Sequence, residues 1–274
     1  GVGLTGGEVL GSDTLVAAIR AARNNDAVRA IVLRIDSPGG SAVASDVIWR
    51  EVMLAKKDKP VIASMSDLGA SGGYYIAMGA DAIVAQPATL TGSIGVVAGK
   101  ITTGGTYEKV GINIEPVSQG RFAEIYSPIR PFSDDERDKM QEHIDAIYEQ
   151  FLTKAAEGRG TTRDAIHELA QGRVWTGRQA KERGLVDELG GLSRAIALAK
   201  EHVGIDADEE VELVVYPRPK SLFELLNEGF TVTQAVARLG WLPVSPAVLE
   251  AVAAPIQLFR TGEALALMPS VFTP

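Results

Sequence analysis

An α/β fold with largely parallel strands is what the sequence predicts, on three observations. Short β-branched runs alternate with helix-like stretches over the first 115 residues, the runs are apolar enough to be buried, and glycine-rich turns stand between strand and helix. Ala30-Ile-Val-Leu-Arg-Ile35 is such a run, closed by Asp36-Ser-Pro-Gly-Gly40, a strand followed by a tight turn. From Ser41 to Ala55 the spacing of Val43, Val47, Ile48 and Val52 predicts a helix with those four residues on one face. Val61-Ile-Ala-Ser-Met65 and Ala82-Ile-Val-Ala85 are expected as further buried strands, and between them Gly69-Ala-Ser-Gly-Gly-Tyr-Tyr-Ile76 leads through glycines into a helix.

After Ser133 the period becomes helical. Ser133-Asp-Asp-Glu136 fits a capping box, Met140, Ile144, Ile147, Phe151 and Leu152 recur at helical spacing, and Glu157-Gly-Arg-Gly160 stops the run. Shorter helices are expected around Arg163 to Ala170 and Gly177 to Arg183, and an amphipathic stretch follows Asp187-Glu-Leu-Gly190 through Leu198. From Tyr216 onward, prolines and apolar clusters such as Leu222 to Leu226 predict an extended arm. The expected division is a main domain over residues 1–200 and a C-terminal strand and apolar arm over 201–274, suited to subunit contacts.

Composition narrows the function. The 274 residues are 46% hydrophobic and 23% charged, which fills a core without difficulty, and a net charge of −8 argues against a phosphate-tracking surface, so nucleic acid is not an expected partner. The absence of cysteine excludes disulfides, thiolate metal sites and a Cys nucleophile, and with only His143, His167 and His202 no metal centre is expected. No run of about 18 uninterrupted apolar residues is present to span a bilayer. The opening at Gly1, without a basic or apolar leader, is expected of a segment cut from a longer protein, whose preceding part could hold a membrane anchor or another domain.

Three polar elements can carry chemistry. Ser71, with Ala70 before it and two glycines after it at a loop-to-helix junction, meets the needs of acyl transfer: small neighbours admit a substrate backbone, and a helix N-terminus offers free N–H groups to a developing oxyanion. The same pattern also fits a plain helix start with a serine cap. Gly39 and Gly40, just past a buried strand, can present a second oxyanion donor or simply form a β-turn. In Thr89-Leu-Thr-Gly-Ser93-Ile-Gly-Val96 the hydroxyls either cap a turn or orient a catalytic base. No Ser–His–Asp set stands out, since His143 and His167 fall on amphipathic helices. A lysine base is the main alternative, and it requires desolvation or nearby positive charge to be neutral. Lys56, Lys57 and Lys59 read as a solvated charge run, leaving Lys100, which follows an apolar strand, as the local candidate.

Together Asp36-Ser-Pro-Gly-Gly-Ser41, Gly69-Ala-Ser-Gly-Gly-Tyr-Tyr75 and Leu90-Thr-Gly-Ser-Ile-Gly-Val96 resemble the signature of the signal peptide peptidase A family. Gly172-Arg-Val-Trp-Thr-Gly-Arg-Gln-Ala180 and Gly184-Leu-Val-Asp-Glu-Leu-Gly190 extend the resemblance, which covers roughly residues 10 to 200. It implies a Clp-protease/crotonase-like α/β fold with helical insertions, with residues 1–200 as the peptidase domain. It also implies a serine peptidase that needs neither cofactor nor metal and degrades signal peptides after their release. Ser71 matches the nucleophile, Gly40 and Gly72 match the oxyanion-hole amides, and Ser93 matches the hydroxyl that positions the lysine base. The implied partners are cleaved signal peptides or other hydrophobic peptides, and copies of the chain in a homo-oligomeric ring. The implied location is the bacterial inner membrane, through a segment absent here, with the catalytic domain on the periplasmic or extracytoplasmic side.

One position departs from the pattern. Short family members carry the base lysine in a segment resembling Ser118-Gln-Gly-Arg-Phe-Ala-Glu-Ile-Tyr-Ser-Pro128, where this chain has Ala123. Either the chain is the serine-bearing half of a tandem form, with the lysine supplied by a preceding homologous half or subunit, or a native lysine has been replaced. Two other functions stay open at this point. A crotonase-like acyl-CoA enzyme would share the fold, although no basic cluster for CoA phosphates adjoins the glycine motifs. A catalytically silent half that captures peptides or serves assembly would account for Ala123, although it leaves Ser71 and Ser93 unexplained.

Overall fold

The computed structural model describes residues 11–217 and 265–267. In chain order its elements are α1 (Ser12–Arg23), β1 (Ile31–Ser37), β2 (Gly39–Ser41), α2 (Ala42–Ala55), β3 (Val61–Ala70), α3 (Gly72–Ala77), β4 (Ala82–Ala85) and β5 (Leu90–Gly92). These are followed by α4 (Gly104–Lys109), α5 (Asp134–Arg159), α6 (Arg163–Leu169), β6 (Val174–Thr176), α7 (Gly177–Glu182), β7 (Glu188–Leu189), α8 (Leu192–His202) and β8 (Leu265–Leu267). The α/β class expected from the sequence is the class observed. The apolar cluster Leu222 to Leu226 of the expected arm lies outside the described residues.

The six-stranded sheet is organised by β3, which is long enough to act as two strands in succession. Its first half pairs in parallel with β1 (Ile31↔Val61 to Ile35↔Met65) and, on the other side, with β4 (Ile62↔Ala82 to Ser64↔Val84). Its second half pairs with β5 (Leu68↔Leu90, Gly69↔Thr91, Ala70↔Gly92), and a register shift between Ile35 and Ser37 lets β1 follow. The sheet therefore curls as it approaches the carboxyl ends of its strands. β7 extends it beyond β4, and β6 closes the other edge antiparallel to β5.

Both faces of this sheet are covered, which is why its strands are apolar on both sides. Ile31, Leu33, Ile35, Val61, Ala63 and Met65 point into the larger core with Val52, Tyr74, Phe151 and Leu152 from the helices, whereas Ile62, Ala82 and Val84 point to the other face, against Ala195, Leu198 and Ala199 of α8. Local chemistry sets the helix ends. Ser133 and Glu136 form the expected capping box, and Gly160, at φ 60°, ends α5 where the glycine pattern placed the stop. Arg130 clamps the Glu136 carboxylate at 2.7 and 2.8 Å, which with the Ser133 backbone hydrogen bond holds its pKa down at about 2.

Two sequence readings need correction. On α2 only Ile48 and Val52 of the four predicted residues are buried; Val43 and Val47 are 67% and 43% exposed, because the inward face is completed by Ala42, Ser45, Glu51 and Ala55. A helical stripe of small and polar residues gave no apolar signal. The lysines after α2 are also not uniformly solvated. Lys57 is exposed, but Lys56 and Lys59 are half-buried, Lys56 donating to Ala80 O at 3.4 Å and Lys59 to Ala22 O and Asn25 O at 3.1 and 2.5 Å, where they satisfy carbonyls left free at loop and helix ends.

Candidate active site

The candidate residues come together at the carboxyl ends of β3 and β5, the end of a parallel sheet where ligands bind. Ala70 pairs with Gly92, and one residue further on Ser71 N donates to Gly92 O at 2.8 Å. Ser71 and Ser93 thus leave two neighbouring strands at the same level. Both adopt positive φ, 52° and 50°, a conformation that costs a non-glycine residue of order 1–3 kcal/mol and persists only where the surroundings impose it. At ψ −115° Ser71 makes a sharp elbow between β3 and α3.

The glycines explain how so tight an elbow is packed. A Cβ on Gly69 would lie 2.7 Å from Met65 Sδ, and one on Gly73 would lie 2.9 Å from Ser37 O. At Gly73 the backbone carbonyl leaves no room for a side chain, whereas at Gly69 the flexible Met65 side chain would have to shift; the two glycines give the Gly-x-Ser-x-Gly spacing of a nucleophile elbow. At Gly72 a Cβ would sit 2.5 Å from Ser45 Oγ and 3.2 Å from both Gly39 Cα and Gly40 N. Gly72 thus packs close to Gly39 and Gly40 with no room for a side chain between them, although their sequence positions are far apart. Gly72→Ala is expected to lower stability by about 1–3 kcal/mol through overpacking, with part of the loss recovered in the Gly72→Ala/Ser45→Ala double variant, as read by denaturant unfolding.

Ser71 Oγ is fully buried and, among the described residues, has no hydrogen-bond partner. A buried polar group left without a partner is uncommon and destabilising, and it is a mark of a site kept ready for something else. Ser93 is equally buried, and its N–H donates to Arg173 O at 2.8 Å; Gly172 N donates to Ile94 O at 3.0 Å. The segment that includes Gly172-Arg-Val-Trp-Thr therefore acts as a brace that holds Ser93 in its strained conformation.

The helix that starts behind Ser71 is fixed by its two tyrosines. Tyr74 OH donates to Leu185 O at 3.0 Å in the core, and Tyr75 OH donates to Asp46 Oδ1 at 2.7 Å. Burial raises the pKa of both phenols, so they remain protonated donors. Lys154 on α5 also binds Asp46 and lies over the Trp49 ring at 3.9 Å, joining α5 to α2 and α3. Burial alone would raise the Asp46 pKa, but hydrogen bonds from Lys154 and Tyr75 more than offset it and keep the carboxylate charged. Nothing in the sequence pairs Asp46 with Lys154; only the fold brings them together. Tyr74→Phe, which strands the Leu185 carbonyl, is expected to cost about 1–3 kcal/mol in denaturant unfolding with no change in fold.

No lysine among the described residues hydrogen-bonds to Ser71. Lys100 Nζ donates to Ile125 O at 3.0 Å and sits 4.3 Å from the centre of the Phe132 ring, with burial lowering its pKa. Ala123 is exposed, in a turn whose neighbours are tied elsewhere: Ser118 Oγ donates to Glu124 at 2.5 Å, Arg121 pairs with Asp135 at 2.7 Å, and Arg130 bridges Glu124 and Glu136. That segment is anchored on the start of α5. The histidines are occupied or exposed: His167 Nδ1 meets Tyr148 OH at 3.0 Å, His202 Nδ1 meets Leu198 O at 2.8 Å, and His143 faces solvent. Among the described residues no group of acidic or histidine side chains could hold a metal ion, and no helix is long and apolar enough to cross a membrane.

A curled, mostly parallel sheet with a serine on a strained elbow is an arrangement shared with α/β serine hydrolases. Comparison with known proteins narrows it. Residues 53–206 match the description of peptidase family S49. A relative from Arabidopsis thaliana, named "Serine protease SPPA, chloroplastic", is 48% identical over 225 residues, covering 81% of this chain and 33% of that protein. "Protease 4" of Salmonella typhi is 44% identical over 193 residues, covering 70% and 31%, and a Synechocystis sp. relative is 38% identical over 208 residues, covering 76% and 75%. The chain belongs to peptidase family S49, whose relatives here include SPPA and Protease 4. It spans about a third of the length of the Arabidopsis and Salmonella relatives.

Proposed function

We propose that this chain supplies the nucleophile of a Ser–Lys peptidase, with a Clp-protease/crotonase-like fold, that cleaves released signal peptides or other apolar peptides. The observation that carries this reading is the buried, unpartnered Ser71 hydroxyl on its strained elbow. In the reaction Ser71 Oγ attacks the scissile carbonyl while a neutral lysine amine takes its proton. The backbone N–H groups of Gly40 and Gly72, two residues whose backbones pack closely, receive the tetrahedral oxyanion. Collapse expels the amine product, which takes up the proton from the lysine, and water then hydrolyses the acyl-enzyme by the same steps. Ser93, side by side with Ser71 at the strand ends, positions the lysine. Full burial of both serines supports this role, because a lysine inserted there would be desolvated and its pKa lowered into a useful range.

The lysine comes from outside this chain. Ala123 occupies the family position, and the Arg121–Asp135 and Arg130–Glu136 ion pairs tie its segment to the start of α5. A preceding homologous half, or a neighbouring subunit in a ring, would bring the base to Ser71; attachment to the bacterial inner membrane with the site on its outer side belongs to the same reading. The test is hydrolysis of a leucine-rich signal-peptide substrate by the chain and by its Ala123→Lys variant. Cleavage by the lysine variant at a rate at least about 100-fold above the parent is the expected result. Equal, negligible rates would favour the silent peptide-capturing half, for which Ala123 is the supporting observation.

A further inference from the structure

Among the described residues, the non-glycine positions with positive φ are Ser71, Ser93 and Gln171, at 52°, 50° and 61°. One line of backbone contacts joins all three. Ser71 N donates to Gly92 O, Ser93 N donates to Arg173 O, and Gly172 N donates back to Ile94 O. The line ends on helix α5, where Gln171 N donates to Tyr148 OH at 3.2 Å. Along it the two backbones are pressed together: a Cβ on Gly95 would lie 3.0 Å from both Cα and N of Gly172. Gln171 is also held by its side chain, since Oε1 accepts from Arg173 at 2.9 Å and Nε2 faces His167 Nε2 at 3.4 Å. His167 in turn meets Tyr148 OH through Nδ1. Tyr148 is half-buried against the core, and burial raises its pKa, so it stays a neutral hydroxyl.

We propose that Tyr148 is a positioning residue for Ser93, acting through the Gln171 amide and the 171–173 brace. The inference rests on the peptidase reading above and deepens it, because there Ser93 is the hydroxyl that positions the lysine. A non-glycine residue keeps a positive φ only where its surroundings impose it. Ser93 is held by Arg173 O, and the segment that presents Arg173 O is tied to α5 by the Tyr148 hydroxyl. Removing that hydroxyl leaves the Gln171 N–H without its acceptor at a strained position, so the segment relaxes and Ser93 loses its alignment. Helix α5 holds the other serine too. Lys154, further along the same helix, binds Asp46, which accepts from Tyr75 in the helix that follows Ser71. One helix thus sets the two strand-end serines relative to each other, with Tyr148 on the Ser93 side and Lys154 on the Ser71 side.

Tyr148→Phe in the full chain tests this, because it removes one oxygen and keeps the ring in place. Hydrogen–deuterium exchange should quicken at least about tenfold at the amides of Ser93 and Gly172. The Ile83 amide, bound to Asp187 in the core of the sheet, should exchange as before and so report that the fold is kept. In the Ala123→Lys background the same substitution should lower kcat for a leucine-rich peptide by at least about tenfold and leave KM as it was. Leu198→Ala, which opens the core on the other face of the sheet, separates positioning from stability: it should lower Tm and leave kcat unchanged. Unchanged exchange at Ser93 and Gly172 would overturn the proposal. So would an unchanged kcat in Tyr148→Phe, or a fall in kcat that Leu198→Ala shares equally. Failure of the peptidase reading would show separately, as absence of hydrolysis in the Ala123→Lys chain, and the exchange measurement still decides whether Tyr148 holds Ser93.

Discussion

In the Ala123→Lys chain, Ser71→Ala is expected to abolish peptide hydrolysis while leaving the protein at least as stable as before. The two effects have one source. Oγ is the attacking atom in the proposed mechanism, and removal of the nucleophile from a hydrolase of this kind lowers kcat by at least about 1,000-fold. The same atom is fully buried without a hydrogen bond, a state that costs about 1–3 kcal/mol, and alanine removes the unsatisfied hydroxyl without changing the backbone. The elbow strain at φ 52° is inherited by alanine and does not enter the difference. A Tm equal to the parent's or a few degrees higher, beside lost activity in the Ala123→Lys background, is the expected pair of measurements. A Tm several degrees lower would mean that the hydroxyl has a structural partner, and retained hydrolysis would remove Ser71 from the mechanism.

The second large effect is complementation between inactive chains. The parent keeps Ser71 and lacks the family lysine; the Ser71→Ala/Ala123→Lys double variant has the lysine and lacks the serine. If the base reaches Ser71 from another chain, mixing the two should give hydrolysis at least about 100-fold above either alone, the usual contribution of a general base. The anchoring of the 118–130 segment on α5, through Arg121–Asp135 and Arg130–Glu136, is the structural reason to expect the lysine in trans. Activity of Ala123→Lys by itself with no gain on mixing would instead place the lysine and serine of one chain together.

These expectations draw unequally on sequence and structure. The capping box at Ser133, the helix stop at Gly160 and the buried runs of β1 and β4 are local features, set by neighbours within a few residues, and they were legible from spacing and residue type alone. The second half of β3 was not. Ser66-Asp-Leu-Gly69 has no β-branched run, and it is extended because β5 pairs with it and Ser37 follows across the register shift. Likewise the three-residue strands β2, β6 and β8 have no pattern of their own; each exists because a partner strand lies beside it.

The same division holds at the site. The sequence by itself singled out Ser71, Ser93, Gly40 and Gly72 as candidates, since they stand in glycine-flanked motifs whose composition is already unusual, and it put Ala123 where the resemblance leads one to expect a lysine. Only the tertiary structure decided that Ser71 and Ser93 leave adjacent strands at one level, that Gly72 packs close to Gly40, and that Asp46 and Lys154 anchor the helix that follows Ser71. It alone placed Leu265–Leu267 beside Gly39–Ser41. The physical reason is range. Backbone conformation and capping are fixed by interactions a few residues long, whereas contacts between strands and between backbones distant in sequence depend on where the whole chain closes its core.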